Sequence, residues 1–586
     1  MLKQNLRIQN DLTAGYGGEF VIRFGNALCT VDVPAEKRLD IPTPTNDDVE
    51  LAAAVSPTVM VDGLLFLADP EDPALEAGAV LKVQREFIRM YFKHVVFPLF
   101  SPLTKDNHGV RKQNVPEIVR LISKQENTAY HLRYPLAQKL QQQRVAMPVL
   151  LILPGPSIET LGPLLKELSR HCIIVAIART LHFCLENGVE PDFLIQLDTF
   201  LVQRHFFENI TRLKRTTLVS LSLASIRSYA HKFRGVLFMD SFNPGILPNP
   251  WRLRENPVST LMACMGLAEC LHAPKAILAG TDLCYSTPGA IYINKTSSTD
   301  QRPTPPFLVN EKDQLLLPNR QGNGVYTMMR YVATATEAEH FARQILKETG
   351  TSFYTLNDNG ILNPDLFPCL TVRDIRELPL LDRAVLEKKI DSALAEREDV
   401  NLIRLKVDCI KTIEMLNQLV THLQTCQVRD DMRDEAKQNI IRQFVDKERD
   451  YVLPADETLR LHVAVRLARQ WRRECVQAKN IAMAHMLASR QAAIPLLCLP
   501  QEADNLPGEL ARLFPSFSWQ IKPIASIATP EEWRRPGEIF PSHKLHKFLH
   551  ETRVAFVTPT ARESFSYHFE VLGTDNVVYL DHTLMG

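Results

Sequence analysis

Between Pro148 and Asp365, short β-branched runs alternate with amphipathic segments of helix length, and this alternation constrains the fold more than any other feature of the chain. Parallel strands need long crossover connections, usually helical, whereas antiparallel strands can be joined by two-residue turns; strands spaced this way therefore read as one parallel sheet. The runs are Val149 to Leu153, Ile173 to Ala178, Phe193 to Leu197, Thr217 to Leu221, Val236 to Met239, Ala276 to Ala279 and Phe353 to Leu356. They fit a single Rossmann-like, doubly wound, mostly parallel sheet of the α/β class, assigned here to residues 146–378. Folds of this kind bind ligands outside the carboxyl ends of their strands, so the loops that follow these runs are the first place to look for chemistry.

A chain of 586 residues is too long for one core and predicts three or four units. Residues 1–145 mix short strand-like stretches, such as Phe20 to Phe24, with a helical run from Ala79 to Tyr91, and read as an α+β unit. Residues 379–490 lose all strand signal, and apolar residues recur there at three- and four-residue spacing, as in Leu402, Ile403, Leu405, Val407, Ile410, Ile413, Met415 and Leu416, so this is a helical region. Residues 491–586 return to strands at Ile494 to Cys498, Val554 to Val557 and Val577 to Leu580, a small α/β unit.

Lysine plus arginine equals aspartate plus glutamate at 67 each, so no global field draws the chain to nucleic acid or to an anionic membrane surface. The N-terminus lacks a secretory pattern, and no apolar run approaches the roughly 20 residues of a membrane span. A cytoplasmic protein is expected. The 11 cysteines include no Cys-x-x-Cys pair and no zinc spacing, which predicts free, mostly buried thiols and no metal site.

The first strand runs into Pro154-Gly155-Pro156-Ser157 and then into a helix. Glycine there lets a ligand approach the backbone, and Ser157 can cap a helix whose unpaired N–H groups attract an anion; the alternative is a plain capping turn. Arg179 and Thr180 follow the second strand, and Asp198 follows the third, where it faces the same crevice or caps the next helix. Ser259 and Thr260 open a helix that reaches His272. Gly280-Thr281-Asp282-Leu283-Cys284-Tyr285-Ser286 then places a glycine, a carboxylate and a phenol at one strand tip, the densest polar cluster in the chain. Asp282 can act on a ligand or serve as a buried aspartate that accepts backbone N–H groups. The stretch from Asn294 to Asn323, beyond Tyr292, is polar and proline-bearing and reads as a lid loop. Glu337, Glu339 and His340 lie on the helix after it, and Asn357 to Gly360 reads as a polar turn.

Taken in order, these pieces resemble the domain shared by the Maf (motility-associated factor) family of bacterial flagellin glycosyltransferases and by proteins similar to an archaeal 6-hydroxymethylpterin diphosphokinase. The shared elements are a strand followed by Gly155-Pro156-Ser157, a helix ending in Asn187-Gly188-Val189-Glu190-Pro191-Asp192, a strand tip at Asp198, and Gly280-Thr281-Asp282-Leu283 after a helix rich in small residues. The same core is similar to bacterial sialyltransferases that use a cytidine monophosphate (CMP) sugar.

The resemblance implies transfer of a nonulosonic acid, of the pseudaminic or legionaminic type, from a CMP-activated donor to serine or threonine of flagellin, in support of flagellar assembly and motility. It implies flagellin as protein partner, the nucleotide sugar as substrate, and no tightly bound cofactor. Gly155, Pro156, Ser157, Arg179, Thr180, Asp198, Ser259, Thr260, Gly280 and Tyr292 would hold the nucleotide, and Asp282, Tyr285, Glu339 or His340, with Glu337 beside them, would serve the chemistry. The chain departs from its relatives in carrying Leu153 where a first loop glycine is common, and in having no histidine between His272 and His340, where the sialyltransferases place one. Two alternatives stand beside this reading: a pyrophosphokinase of the pterin type, and a non-catalytic flagellin-binding or assembly factor.

Overall fold

In the computed structural model, the described residues are 6–9, 19–27, 33–45, 47–56, 60, 63–69, 72–73, 75–96, 135–197, 206–207, 210–221, 224, 226, 229–240, 252–254, 259–285, 314–396, 400–428, 457–504, 506, 510, 514, 516–527, 543–564 and 575–580. They fall into two compact units: the first comprises 1–111, 140–195 and 253–389, and the second 112–139, 196–252 and 390–586.

The first unit begins with a four-stranded sheet of β1 (Leu6–Gln9), β2 (Phe20–Phe24), β3 (Arg38–Ile41) and β4 (Gly63–Ala68) in the order β1-β4-β2-β3. β1 runs antiparallel to β4, while β2 is parallel to both β4 and β3. The helix Ala77–Tyr91 buries Val80, Val83, Phe87 and Tyr91, a three-and-four spacing that gives it one apolar face. Phe87 meets Phe66 of β4 edge to face and Phe20 of β2 in a stack, so this face closes the core of the sheet.

All seven runs read from the sequence are strands. They are β5 (Val149–Ile152), β6 (Ile173–Ile177), β7 (Phe193–Gln196), β8 (Thr217–Ser220), β9 (Gly235–Phe238) and β10 (Lys275–Ala279), followed, after a hairpin of β11 (Gln314–Pro318) and β12 (Gly324–Met328), by β13 (Ser352–Thr355). Their order in the sheet is β13-β10-β5-β6-β7-β8-β9. The registers are parallel, with Ile152 beside Ala279 and Ala176. β5, β6 and β7 are buried at every position, as expected of central strands covered on both faces. The chain leaves β5 toward β6 on one side and later returns to β10 on the other. The topological switch point, where such sheets open a crevice, therefore lies between the carboxyl ends of β5 and β10.

One expectation needs correction. Of the stretch from Asn294 to Asn323, expected to be a lid without regular structure, residues 294–313 lie outside the described residues, and the rest holds β11, paired antiparallel with β12 through Leu316 and Tyr326. Alternation explains the strand: Leu315 and Leu317 point inward while Leu316 is exposed. The Asn319 carboxamide accepts the N–H groups of Gln321 and Asn323, which makes the turn.

In the second unit, the helices Leu402–Val428 and Glu457–Ala488 pack on each other, with Leu405, Cys409, Thr412 and Leu416 buried on the first of them. A four-stranded sheet follows: β14 (Ala493–Cys498), β15 (Ser518–Pro523), β16 (Ala555–Val557) and β17 (Val577–Tyr579), all parallel and ordered β15-β14-β16-β17. β15 was not legible in the sequence, because it is an edge strand without a buried face of its own. No described helix is long and apolar enough to cross a membrane.

Candidate ligand site at the sheet switch point

Two glycine-bearing loops interlock at the carboxyl ends of β5 and β10. The Leu153 N–H donates to the Ala279 carbonyl and the Gly155 N–H to the Gly280 carbonyl, each at 2.8 Å, so the parallel ladder continues past the strand ends. A methyl group on Gly155 would sit 2.5 Å from the Gly280 carbonyl oxygen and 2.6 Å from Asp282 Oδ2. Gly280 is tighter still: its φ is +72°, and a Cβ there would lie 2.1 Å from the Leu153 carbonyl oxygen. Both glycines exist for the approach of one loop to the other.

Asp282 closes this junction. Its Oδ2 accepts the Ser157 backbone N–H at 2.8 Å, and its Oδ1 accepts the Asn357 carboxamide. Burial pushes the Asp282 carboxyl above the ordinary aspartate range, although the hydrogen bonds from the Ser157 N–H and the Asn357 amide pull against that shift. Thr281 beside it is buried, and its hydroxyl has no hydrogen-bond partner among the described residues. Leu283 takes a left-handed φ of 51°, an uncommon conformation for a branched side chain, and its carbonyl accepts the Thr327 hydroxyl at 2.6 Å. The hairpin is pinned to the same segment by the Tyr285 N–H, which donates to the Tyr326 carbonyl at 2.8 Å.

The structure thus brings Gly155, Pro156, Ser157, Gly280 and Asp282 together at the switch point. It also alters several roles expected of the individual residues. Ser157 does not cap the helix: Gly155 occupies the N-cap position of the 3-10 turn Pro156–Leu161, and Ser157 lies inside that turn. The loop N–H groups are engaged internally, since Gly155 donates to Gly280, Ser157 to Asp282 and Ile158 to the Gly155 carbonyl. A phosphate cradled by those three amides therefore does not fit the loop as it stands, and hydroxyls and side chains are left to hold an anion. Thr180 is fully buried; its hydroxyl donates to the Ile152 carbonyl at 3.0 Å and accepts the Ile177 N–H at 3.2 Å, so it ties β5 to β6 instead of facing the crevice. Arg179 stands half-buried beside it in the turn Ala178–Thr180, directly after β6. Ser259 caps the helix Thr260–Cys270 by accepting the Leu261 N–H at 3.2 Å, and Thr260 is the first residue of that helix.

Glu337 and Glu339 are buried and His340 is exposed, and none of the three is held ready in the crevice. They pair with the helix Ala77–Tyr91 and the turn after it: Arg85 to Glu339 at 2.6 Å, Arg89 to Glu337 at 2.7 Å, Lys93 to Glu337 at 3.4 Å, and His340 to Glu86 at 2.9 Å. Glu86 also binds Arg89. Burial alone would raise the Glu86 carboxyl, but hydrogen bonds from His340 and Arg89 and their charges bring it down to about 2. Asp198 and Tyr292 lie outside the described residues.

Asn357 was missed as a site residue. It reads as part of a polar turn, and what could have marked it is its position directly beyond β13, the neighbour of β10 in the sheet. Its carboxamide oxygen accepts the Asn359 N–H at 2.8 Å, which turns its amide toward Asp282. Gly360 then lies against the Thr281 and Asp282 carbonyls, where a Cβ would be 3.0 Å from each oxygen.

Residues 123–288 match the family described as 6-hydroxymethylpterin diphosphokinase MptE-like. The match contains β5 through β10 and both interlocked loops, and it bears out the resemblance read from the order of the motifs. Among solved structures, the chain is similar to a MAf glycosyltransferase from Magnetospirillum magneticum AMB-1, with 14% sequence identity over 77% of this chain and 70% of that one, and a TM-score of 0.38. No curated protein matches the chain.

Proposed function

We propose that this chain is a glycosyltransferase that uses a CMP-activated nonulosonic acid and modifies serine or threonine hydroxyls of flagellin in the bacterial cytoplasm. The observation that carries the reading is the junction at the switch point of an MptE-like domain, where Gly155 and Gly280 interlock and Asp282 is buried between Ser157 and Asn357. The order of its motifs, which resembles that of Maf proteins, favours the sugar nucleotide as substrate. In the reaction the acceptor hydroxyl oxygen bonds to the anomeric carbon, the bond from that carbon to the CMP phosphate breaks, and CMP departs with the electron pair. The hydroxyl proton passes to a base. Asp282 is the carboxylate at the junction, and burial raises its proton affinity toward the range useful to a base at neutral pH. The departing phosphate is assigned to Arg179, which lies in the turn directly after β6.

The description of the matching family favours a second reading, diphosphate transfer to a pterin. Thermal shift with CMP, CDP, CTP, ATP and GTP separates the two, because a ligand that binds only the folded state raises its melting temperature. Stabilisation by cytidine nucleotides, with transfer of labelled sugar to flagellin abolished in Asp282→Asn, is the expected result. Selective stabilisation by ATP and no sugar transfer would move the assignment to the kinase, while flagellin binding without either activity would leave an assembly factor.

A further inference from the structure

The segment 357–363 is held at both ends by carboxylates. At its start the Asn357 amide donates to Asp282; at its end the Asn363 N–H donates to Glu339 Oε1 at 3.2 Å. Between them, the Ile361 N–H donates to the Asp282 carbonyl at 3.3 Å, and Ile361 and Leu362 are buried. Arg320, from the β11–β12 turn, clamps the segment by donating its N–H to the Gly360 carbonyl at 3.1 Å and its guanidinium to the Leu362 carbonyl at 3.4 Å. The same Oε1 of Glu339 that takes the Asn363 N–H also takes Arg85 at 2.6 Å.

A carboxylate as buried as Glu339, at 6% exposure, is costly to desolvate, and an ion pair in such a place often stabilises no better than apolar packing would. Packing between the helices Ala77–Tyr91 and Met329–Thr349 gives no reason to have one there. The backbone N–H of Asn363 does, because an apolar side chain at 339 would leave that donor without its acceptor.

We infer that Glu339 is a positioning residue: held by Arg85 of the N-terminal α+β region, it fixes the segment 357–363 so that Asn357 stays on Asp282. The N-terminal sheet and its helix thereby reach the switch point through one shared acceptor, Glu339 Oε1, which takes both Arg85 and the Asn363 N–H. The role of Asp282 in sugar transfer rests on the function proposed above; the mechanical coupling does not.

Amide hydrogen exchange on the full chain tests the coupling without reference to activity. In Glu339→Ala, exchange across 357–363 and at Ser157 is expected to rise at least about tenfold, with β5 and β10 still protected. Glu339→Gln retains an acceptor for Asn363 and is expected to keep the segment protected although Arg85 loses its charge partner. Unchanged exchange across 357–363 in the alanine variant, or equal loss of protection in both variants, would overturn the inference and leave Glu339 as a counter-charge for Arg85. Should the alanine variant not fold, the glutamine variant decides alone: protection kept supports the coupling and protection lost ends it. A second readout follows if sugar transfer is established. Releasing Asn357 removes a hydrogen bond that lowers the Asp282 pKa, so the acidic limb of the kcat profile moves to higher pH in Glu339→Ala while KM for the nucleotide sugar stays within about twofold. A chain that transfers no sugar would remove this second readout and leave the exchange result standing.

Discussion

The Ser157 backbone N–H donates to Asp282 Oδ2 at 2.8 Å, across 125 residues of sequence, and so latches the loop after β5 to the loop after β10. Replacing Asp282 by alanine strands two donors, that N–H and the Asn357 amide, in a buried place. Leaving a buried polar group unsatisfied costs about 1–3 kcal/mol. Asp282→Ala is therefore expected to lose about twice that amount in urea unfolding, and Asp282→Asn about half as much as the alanine variant, because the single carboxamide oxygen of an asparagine can still accept from Ser157. Equal losses would show that the latch is not what the carboxylate supplies.

The same carboxyl has a pH signature. Burial raises its pKa in the folded chain above the ordinary 3.8, so the folded state holds the proton more tightly than the unfolded one. Its contribution to stability is present in full below the unfolded value and is lost as pH rises through the folded value. Relative to wild type, Asp282→Asn should thus gain stability as pH is raised from about 4, the unfolded value. Denaturant titrations of both proteins at several pH values measure this, and parallel curves would contradict it.

The interlocked glycines make a steric prediction. A Cβ at Gly280 would lie 2.1 Å from a backbone oxygen, at a φ of +72°, whereas at Gly155 the obstructions are a backbone oxygen at 2.5 Å and the Asp282 carboxylate at 2.6 Å. Backbone cannot yield as a side chain can. Gly280→Ala is expected to destabilise by about 2–4 kcal/mol, from a left-handed alanine and a forced separation of β5 from β10, and Gly155→Ala by somewhat less. Melting temperatures of the two variants give the order, and a reversed order would place the strain elsewhere.

These residues also mark how far the sequence could be read. The parallel sheet was legible because Val149 to Ile152 and the other runs are continuous, buried and separated by helical lengths, a pattern set by local chemistry. Gly155 and Gly280 were legible as special positions, but the sequence carries no sign that each makes room for the other. Asp282 was correctly narrowed to two roles, of which the structure displays the backbone-accepting one. Glu337, Glu339 and His340 were misplaced for a different reason: their partners Arg85, Glu86 and Arg89 lie some 250 residues earlier, 254 in the case of Arg85 and Glu339, and no periodicity reports a contact at that separation. The helix that carries the three residues has helical spacing, which says which side chains share a face but not what that face meets.

The hairpin β11–β12 depends on Thr327, whose hydroxyl donates to the carbonyl of Leu283, a residue in the left-handed region. Thr327→Val keeps the shape and burial and deletes only the donor, leaving the Leu283 carbonyl unsatisfied; the expected loss is about 1 kcal/mol, with faster amide exchange in the hairpin and at Tyr285. Leu316→Ser on the exposed face should change neither.

The ion pairs between the helix Ala77–Tyr91 and the helix Met329–Thr349 set the last expectation. Glu86 accepts from both His340 and Arg89, and its carboxyl is brought down from 4.5 to about 2 despite its burial. A depressed acid stabilises the fold above its unfolded pKa and loses that contribution as pH falls through the folded value, here between about 4.5 and about 2. Glu86→Gln cannot ionise and should show a shallower loss of stability across that window. At pH 7 the variant should be weaker by about 1–3 kcal/mol, less than a fully broken buried pair would cost, because Arg89 keeps Glu337 as a partner. Unfolding followed by tryptophan fluorescence and circular dichroism at pH 3, 5 and 7 tests both statements. A variant with the same acid dependence as wild type would show that Glu86 does not carry the acid sensitivity of this contact.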